Sequence, residues 1–346
     1  SSFNADIFQE KNKNKAKKIY KNSIRYFNNG ESRYLSQEQK NKRWYLIGHA
    51  WWNLGEIKKA AKAWNNYLKE IDFSNPEKSL KIKFQLASGF QREKNYSDSE
   101  KWFARVVKGH KRSELAIESS FWRAEMAYAD SLQKYKTIPK KRALLIVKHY
   151  DVYLEKNDEM HRALSYYRIG NLEQNIRPIN SINAFKNYLS TEDKIFSNEV
   201  QYRLAHLYIN TKQPQKAINV FKNYLSSGDK TYSNEVKYQL GYLYVNTMQP
   251  KKAIKIFEEY LDGEKKENYS EIQIRLGYLF IDTKQPQKAI QIFEKYLDGK
   301  NKEYAAEAKI RLGYLYIETS QINKAIQIFE KYLEGESNEH FLEIKL

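Results

Sequence analysis

The sequence predicts an all-α protein built as a solenoid of stacked helix-turn-helix repeats. Closely similar blocks begin at residues 202, 238, 274 and 310, which is a period of 36 residues. Each block contains two stretches whose apolar residues recur three or four positions apart, the spacing of an amphipathic helix. The 346 residues include only 13 glycines and 6 prolines, as helix interiors require. Repeats of this period indicate a solenoid, an architecture that presents extended binding surfaces.

The second block shows how each repeat is built. Leu240 and Tyr244 share one face of a first helix, and Ala253 and Phe257 share one face of a second helix. Pro250 lies between these stretches and suits the first turn of a helix, because its missing N–H would have no intrahelical partner there. Each repeat is therefore predicted as helix, turn, helix.

A glycine follows the predicted second helix in three blocks, at Gly263, Gly299 and Gly335. Glycine adopts the left-handed conformation of a helix C-cap more readily than any other residue. We therefore expect these glycines to end the second helices in that conformation.

The order Leu-Gly-x-x-Tyr, then Ala nine residues later and Phe after four more, resembles the tetratricopeptide repeat family. This resemblance implies a right-handed α-solenoid in which small residues allow the two helices of a repeat to approach closely. It also implies that one aromatic position fills the seam between neighbouring repeats. In the four regular blocks that position holds Phe221, Phe257, Phe293 and Phe329.

The same order of small and aromatic residues continues toward the N-terminus with more variation. Trp44, Gly48 and Trp64 occupy the family's positions in a strong match, and weaker matches follow. The seam position falls at residues 64, 103, 147, 185, 221, 257, 293 and 329, which predicts eight repeats. The third helix pair is expected to run from about Glu114 to Glu155, with a longer connection between its helices.

The chain is predicted to have four parts. Residues 1–35 form a basic N-terminal helix or cap, and residues 36–196 form divergent repeats 1–4. Residues 197–335 form regular repeats 5–8, and residues 336–346 form a C-terminal cap or a truncated helix.

Positive charge is concentrated in the first half of the chain. Residues 1–196 carry 38 Lys and Arg against 22 Asp and Glu, whereas residues 197–346 carry 22 against 20. The densest basic run comprises Lys11, Lys13, Lys15, Lys17, Lys18, Lys21 and Arg25. One interpretation is attraction to an anionic partner such as acidic protein, lipid headgroups or nucleic acid. The alternative is a solvated face without a partner.

No residue pattern indicates catalysis, so the chain is not expected to be an enzyme or to bind a cofactor or metal. The 6 histidines are scattered, and the absence of cysteine excludes a thiolate nucleophile and thiolate metal ligands. The tryptophans occupy the repeat's own packing positions, so nucleic acid is not the expected partner. No apolar run is long enough to span a membrane.

The resemblance implies a binding groove, because the first helices of tetratricopeptide repeats line the concave surface. The family's groove positions and their neighbours correspond to Tyr202, Arg203, His206, Tyr238, Tyr242, Arg275, Tyr278, Arg311 and Tyr314. Such a surface suits an amphipathic helix or an extended peptide. We expect acidic groups of a partner to bind Arg275 and Arg311. The alternative is that the tyrosines are buried by tight winding of the repeats.

The favoured function is a non-catalytic scaffold that holds protein partners within a bacterial envelope, motility or secretion assembly. The second helices read Ala-Ile-x-x-Phe-x-x-Tyr-Leu, with Tyr260 at a position where the broad family prefers Ala, and this variant resembles repeats of bacterial envelope proteins. The expected location is the periplasm or cell envelope, with anchoring through a removed N-terminal segment, and the cytoplasm is the alternative. The rival function is binding of an anionic surface by the basic half.

Overall fold

The computed structural model describes residues 2–29, 35–109, 113–156, 158–262, 267–299 and 303–333, with side chains from residue 14 onward except Phe73. Within these ranges the regular secondary structure consists of seventeen helices and no strand, which confirms the predicted all-α repeat fold. The N-terminal helices are α1 (Ser2–Asn29), α2 (Gln37–Asn53), α3 (Ile57–Ser74), α4 (Pro76–Arg92), α5 (Tyr96–Gly109), α6 (Glu114–Lys134), α7 (Lys140–Leu154), α8 (Arg162–Glu173) and α9 (Pro178–Ser190). The remaining helices are α10 (Ser197–Asn210), α11 (Pro214–Ser226), α12 (Ser233–Asn246), α13 (Pro250–Leu261), α14 (Tyr269–Asp282), α15 (Pro286–Asp298), α16 (Ala305–Glu318) and α17 (Ile322–Leu333).

The chain divides into two compact units, residues 1–192 and residues 193–346. In the N-terminal unit, α1 contacts α2, and the following helices pair as α2 with α3, α4 with α5, α6 with α7 and α8 with α9. The predicted third pair is present as α6 and α7. In the C-terminal unit, α10 pairs with α11, α12 with α13, α14 with α15 and α16 with α17. The four-part domain division remains a prediction, and residues 336–346 lie outside the described residues.

The backbone becomes left-handed at the turn inside each regular repeat. Lys212, Met248, Lys284 and Ser320 all have φ between 56° and 59°. The expectation of a left-handed cap at Gly299 is wrong, because φ and ψ there are −74° and 170°, an extended conformation. Gly263 and Gly335 lie outside the described residues. The reversal within a regular pair uses a left-handed residue. The exits from the second helices vary, because Gly228 after α11 is left-handed with φ of 76°, whereas Asp262 and Gly299 are extended.

An aromatic ring packs on a small residue where the two helices of a pair cross. Phe257 is completely buried, and a Cβ added to Gly241 would overlap its ring. The same pairing joins Trp64 to Gly48 in the first repeat. The aromatic residue therefore packs against the small residue of its own repeat, whereas the sequence predicted packing in the seam between neighbouring repeats. Only glycine leaves room for the ring at this distance.

Two divergent repeats carry serine where the regular repeats have alanine. Ser99 and Ser181 are fully buried, and each hydroxyl donates to a first-helix carbonyl, from Ser99 to Ala87 at 2.8 Å and from Ser181 to Gly170 at 2.7 Å. A buried hydroxyl without a partner is costly, so these hydrogen bonds make serine compatible with the close helix contact.

The tyrosine near the end of the second helices α11 and α15 fixes the link to the next helix. The buried Tyr224 hydroxyl accepts a hydrogen bond from the backbone N–H of Tyr232 at 2.8 Å, and Tyr296 accepts from Tyr304 at the same distance. Tyr224 also donates to the carboxylate of Asp229 at 2.6 Å. The repeated tyrosine therefore has a structural role in this chain, which the sequence pattern did not reveal.

The N-terminal unit uses a buried polar cluster in one of its divergent repeats. The hydroxyl of Tyr150 on α7 donates to Glu125 on α6, and Arg168 on α8 donates to the same carboxylate at 3.1 Å. Arg168 also lies 4.5 Å from the centre of the Tyr128 ring. The cluster joins three helices. Removal of either Glu125 or Arg168 would leave the charge of the other without a partner in a largely buried place.

Replacement of Phe257 by Ala should destabilise the C-terminal unit by about 3–5 kcal/mol, the usual range for a fully buried phenylalanine. Because repeats are coupled chiefly to their neighbours, the loss of hydrogen-exchange protection should be greatest in helices α11 to α15. Phe329→Ala is the matched control, since Phe329 occupies the same position but is only partly buried and should cost less. An equal loss of protection across all eight repeats would contradict this account.

Candidate partner-binding face

The structure places all nine predicted groove residues on the first helices of the C-terminal unit. We call the surface that they form the ladder face. It comprises Tyr202, Arg203 and His206 on α10, Tyr238 and Tyr242 on α12, Arg275 and Tyr278 on α14, and Arg311 and Tyr314 on α16. Its use by a partner remains a prediction.

A glutamate links α12 to α14 on the ladder face. The Tyr242 hydroxyl donates to the carboxylate of Glu271, and the Tyr238 hydroxyl lies 3.3 Å from the other oxygen of that carboxylate. The guanidinium carbon of Arg275 lies 5.6 Å from the centre of the Tyr242 ring, within cation–π distance. These side chains therefore join two neighbouring repeats.

The same link recurs between α14 and α16. Tyr278 donates to the carboxylate of Glu307, while the Nε–H of Arg311 donates to the Tyr278 hydroxyl at 3.1 Å. Arg311 also lies 5.2 Å from the centre of the Tyr278 ring. Arg275 and Arg311 are thus engaged with tyrosines, an arrangement that the sequence reasoning missed. The available signal was the recurrence of Glu235, Glu271 and Glu307 every 36 residues.

The ladder face differs on α10, because His206 occupies the position that holds a tyrosine on the later first helices. His206 packs edge-on against Phe221 at 5.7 Å, and Tyr202 stacks on Tyr232 at 4.3 Å between ring centres. Burial lowers the pKa of His206. Arg203 donates to Glu199 at 2.7 Å within the same helix. This end of the ladder face is therefore held by ring packing and a local ion pair.

Burial is the main cause that raises the pKa of both linking tyrosines. The hydrogen bond donated to Glu271 raises the pKa of Tyr242 further, and the bond to Glu307 does so for Tyr278. The hydroxyls therefore remain neutral donors in the folded protein at high pH.

The most accessible part of the ladder face lies on α16. Tyr314 is 47% exposed and Ile317 is 48% exposed. Beside them is a surface cavity of about 540 Å³, whose lining includes Glu307, Ile310, Arg311 and Tyr314. An aromatic ring, aliphatic groups and both signs of charge are therefore available within one depression.

The predicted basic surface lies on α1. The side chains of Lys15, Lys17, Lys18, Lys21 and Arg25 are exposed, whereas those of Lys11 and Lys13 lie outside the described side chains. An apolar cavity of about 560 Å³ lies beside the end of this helix, and its lining includes Tyr26, Phe27 and Leu46.

Tryptophans of the N-terminal unit are engaged in packing and cation–π contacts. Trp64 is 1% exposed, and its indole N–H donates to the Tyr45 carbonyl at 3.0 Å. The guanidinium of Arg92 lies 5.1 Å from the Trp52 ring centre. Among the described residues, no group of three or more His, Asp or Glu side chains could hold a metal ion. No helix in the same ranges is long and apolar enough to cross a membrane.

Comparison with protein-family models finds the tetratricopeptide repeat in residues 199–227, 235–262, 270–298 and 306–334. These segments coincide with the four helix pairs of the C-terminal unit. Three solved structures are similar to parts of this chain. MamA is 22% identical over 50% of this chain and 91% of its own, with a TM-score of 0.40. YrrB, described as a TPR protein with an unusual peptide-binding site, is 19% identical over 57% of this chain and 96% of its own, with a TM-score of 0.42. A tetratricopeptide repeat protein from Parabacteroides merdae is 13% identical over 80% of this chain and 99% of its own, with a TM-score of 0.36. Comparison with curated proteins finds no match.

Replacement of Tyr242 and Tyr278 together by Phe should lower the free energy of unfolding near neutral pH by roughly 1–3 kcal/mol per hydrogen bond to a carboxylate. The folded pKa of each tyrosine lies above its unfolded value, so its contribution is complete below about pH 10 and declines as the pH rises toward the folded value. The melting temperature of the double variant should therefore fall less steeply than that of the wild type between about pH 9 and pH 11. The control is Tyr26→Phe, which removes a hydroxyl from an exposed side chain and should change neither quantity. Parallel curves for the double variant and the wild type would contradict the assignment.

Proposed function

Because residues 199–334 contain four tetratricopeptide repeats, we propose that this chain is a non-catalytic scaffold that binds protein partners on the ladder face. Stacked repeats of this type in general serve protein interaction, since they present a continuous surface without a single enclosed core. The observation that carries the proposal is the exposed depression on α16, where Tyr314 and Ile310 lie beside the charged Glu307 and Arg311.

The chemistry of this depression suits an amphipathic helix or an extended peptide. A tyrosine ring offers a large contact area and loses little conformational entropy on binding, while its hydroxyl remains available for hydrogen bonds. Tyr242 and Tyr278 hold neighbouring repeats together, so a partner would meet a surface that is already ordered. Prior ordering reduces the entropic cost of association.

The proposed setting is a bacterial cell-envelope, motility or secretion assembly, in the periplasm or at the envelope, with the cytoplasm as the alternative. It rests on the second-helix pattern that includes Tyr260 and on the richness of the chain in Lys, Asn, Ile and Tyr. Tyr260 is buried, so the same residue also serves the packing of the repeat.

Site-specific photo-crosslinking tests the ladder face directly. A photoreactive phenylalanine analogue at position 314 should capture a partner segment in the source cells, because the side chain points to an accessible surface. The same analogue at position 327, an exposed glutamine on α17, is the matched control. Mapping of the crosslinked peptides should give a segment that is specific to position 314. Equal crosslinking at both positions, or crosslinking at 327 alone, would place the interface elsewhere.

A second function, binding of an anionic surface, is favoured by the exposed cations of α1. Residues 14–29 contain no Asp or Glu, so the positive potential of this part of the helix is not balanced by acidic side chains within it. Lipid headgroups or another polyanion would be attracted over distances of about a Debye length, roughly 10 Å at 0.1 M salt.

Vesicle binding tests this second function with the full chain. Lys17→Glu, Lys18→Glu and Lys21→Glu together should abolish flotation with vesicles that contain anionic lipid at low salt, where the wild type floats. The control variant carries the same three-charge reversal at the exposed Lys222, Lys251 and Lys255 of the C-terminal unit and should float like the wild type. If the two variants behave alike, the position of the charges on α1 has no role in surface binding.

A further inference from the structure

Helix α1 presents an exposed basic surface. Among the described side chains of residues 14–29, Ile24 is the buried apolar residue, whereas Ile19 is 56% exposed and Tyr26 is 77% exposed. The exposed Lys15 lies one helical turn before Ile19 on the same side of the helix, and Lys17, Lys18 and Lys21 occupy other parts of its exposed surface. The helix therefore combines cationic and apolar groups on a surface open to another molecule.

The opposite charge prevails on the last two repeats of the ladder face. Carboxylates there comprise Glu271, Asp282, Glu303, Glu307 and Glu318. The cations on the same first helices that face the tyrosines are Arg275 and Arg311, and both guanidinium groups lie against tyrosine rings. The excess of carboxylates makes this end of the ladder face acidic, so it favours a basic partner over the acidic one expected from the sequence.

The length of α1 is also compatible with binding across the ladder face. Helix α1 has 28 residues and is therefore about 42 Å long. Tyr242 and Tyr278 each reach a glutamate of the next first helix, so neighbouring first helices lie within the reach of one side chain pair. A helix of that length could cross several first helices and place Ile19 or Tyr26 against the exposed Tyr314 and Ile317.

We propose that the ladder face of one copy binds α1 of a second copy, so that the chain self-associates head to tail. This inference rests on the proposed function, since it names the partner of the same face. The contact is heterologous, because different surfaces of the two copies meet. Each association leaves one α1 and one ladder face open, and further copies can therefore add.

Charge reversal on each side tests the contact with the full chain. Variant A carries Lys17→Glu, Lys18→Glu and Lys21→Glu, and variant B carries Asp282→Lys, Glu303→Lys and Glu318→Lys. These B positions are exposed and lie outside the Tyr242–Glu271 and Tyr278–Glu307 links. Circular dichroism and the melting temperature should show that both variants are folded.

Sedimentation velocity should show concentration-dependent association of the wild type at low salt, weakened at high salt by screening. Each variant alone should associate at least about tenfold more weakly, because like charges then face each other. An equimolar mixture of A and B should recover association, since the acidic α1 of A meets the basic face of B and the native α1 of B meets the acidic face of A. The reversal at Lys222, Lys251 and Lys255 should leave association unchanged.

Monomeric wild type at all concentrations, or a mixture that fails to recover association, would overturn self-association. If crosslinking from position 314 then still captured a segment of a different protein, the proposed function would stand without this inference. Loss of vesicle flotation in variant A with unchanged self-association would assign α1 to a lipid surface and would also overturn the inference. Crosslinks from position 314 that reach only α1 of a second copy, together with recovery in the A and B mixture, would support the inference and limit the partner to a second copy.

Discussion

The close contact between a glycine on the first helix and an aromatic ring on the second is the constraint on which five of the repeats depend. At Gly241 the ring of Phe257 occupies the space in which a side chain would lie, and Trp64 does the same at Gly48. The contact brings the helix axes together and buries the ring completely at Phe257. Ala253, also fully buried, allows the approach from the second helix. All longer-range features build on this pair.

Tyrosine hydroxyls carry much of the coupling from one repeat to the next. Tyr224 and Tyr296 accept backbone N–H groups eight residues later and so hold the linker that leads into the following first helix. Tyr242 and Tyr278 reach across to a glutamate of the next repeat. In a solenoid, stability depends on these neighbour interfaces because no central core unites the repeats. The abundance of tyrosine, 28 residues, reflects this use of rings for packing and of hydroxyls for polar contacts.

The ladder face has a double character. Its inner residues hold the repeats together, and its exposed end at Tyr314 and Ile317 remains accessible. Arg275 and Arg311 lie against tyrosine rings of the same surface. The carboxylates around them outnumber these two cations, so the net charge of the surface is negative. The N-terminal unit has the opposite balance, with exposed cations along α1. The two surfaces are therefore suited to different partners or to each other in separate copies.

Periodicity by itself determined the all-α class, the order of the helix pairs and the small residues at which paired helices approach, because these follow from spacings within one repeat. The tertiary structure decided the rest. Tyr242 bonds Glu271 across 29 residues and Tyr278 bonds Arg311 across 33, and such contacts depend on how neighbouring repeats superimpose, which the spacing within a repeat does not specify. The backbone at Gly299 likewise follows the path to the next helix and not the local preference of glycine. Left-handed geometry appears instead at Met248, where the chain must reverse between paired helices whatever residue is present.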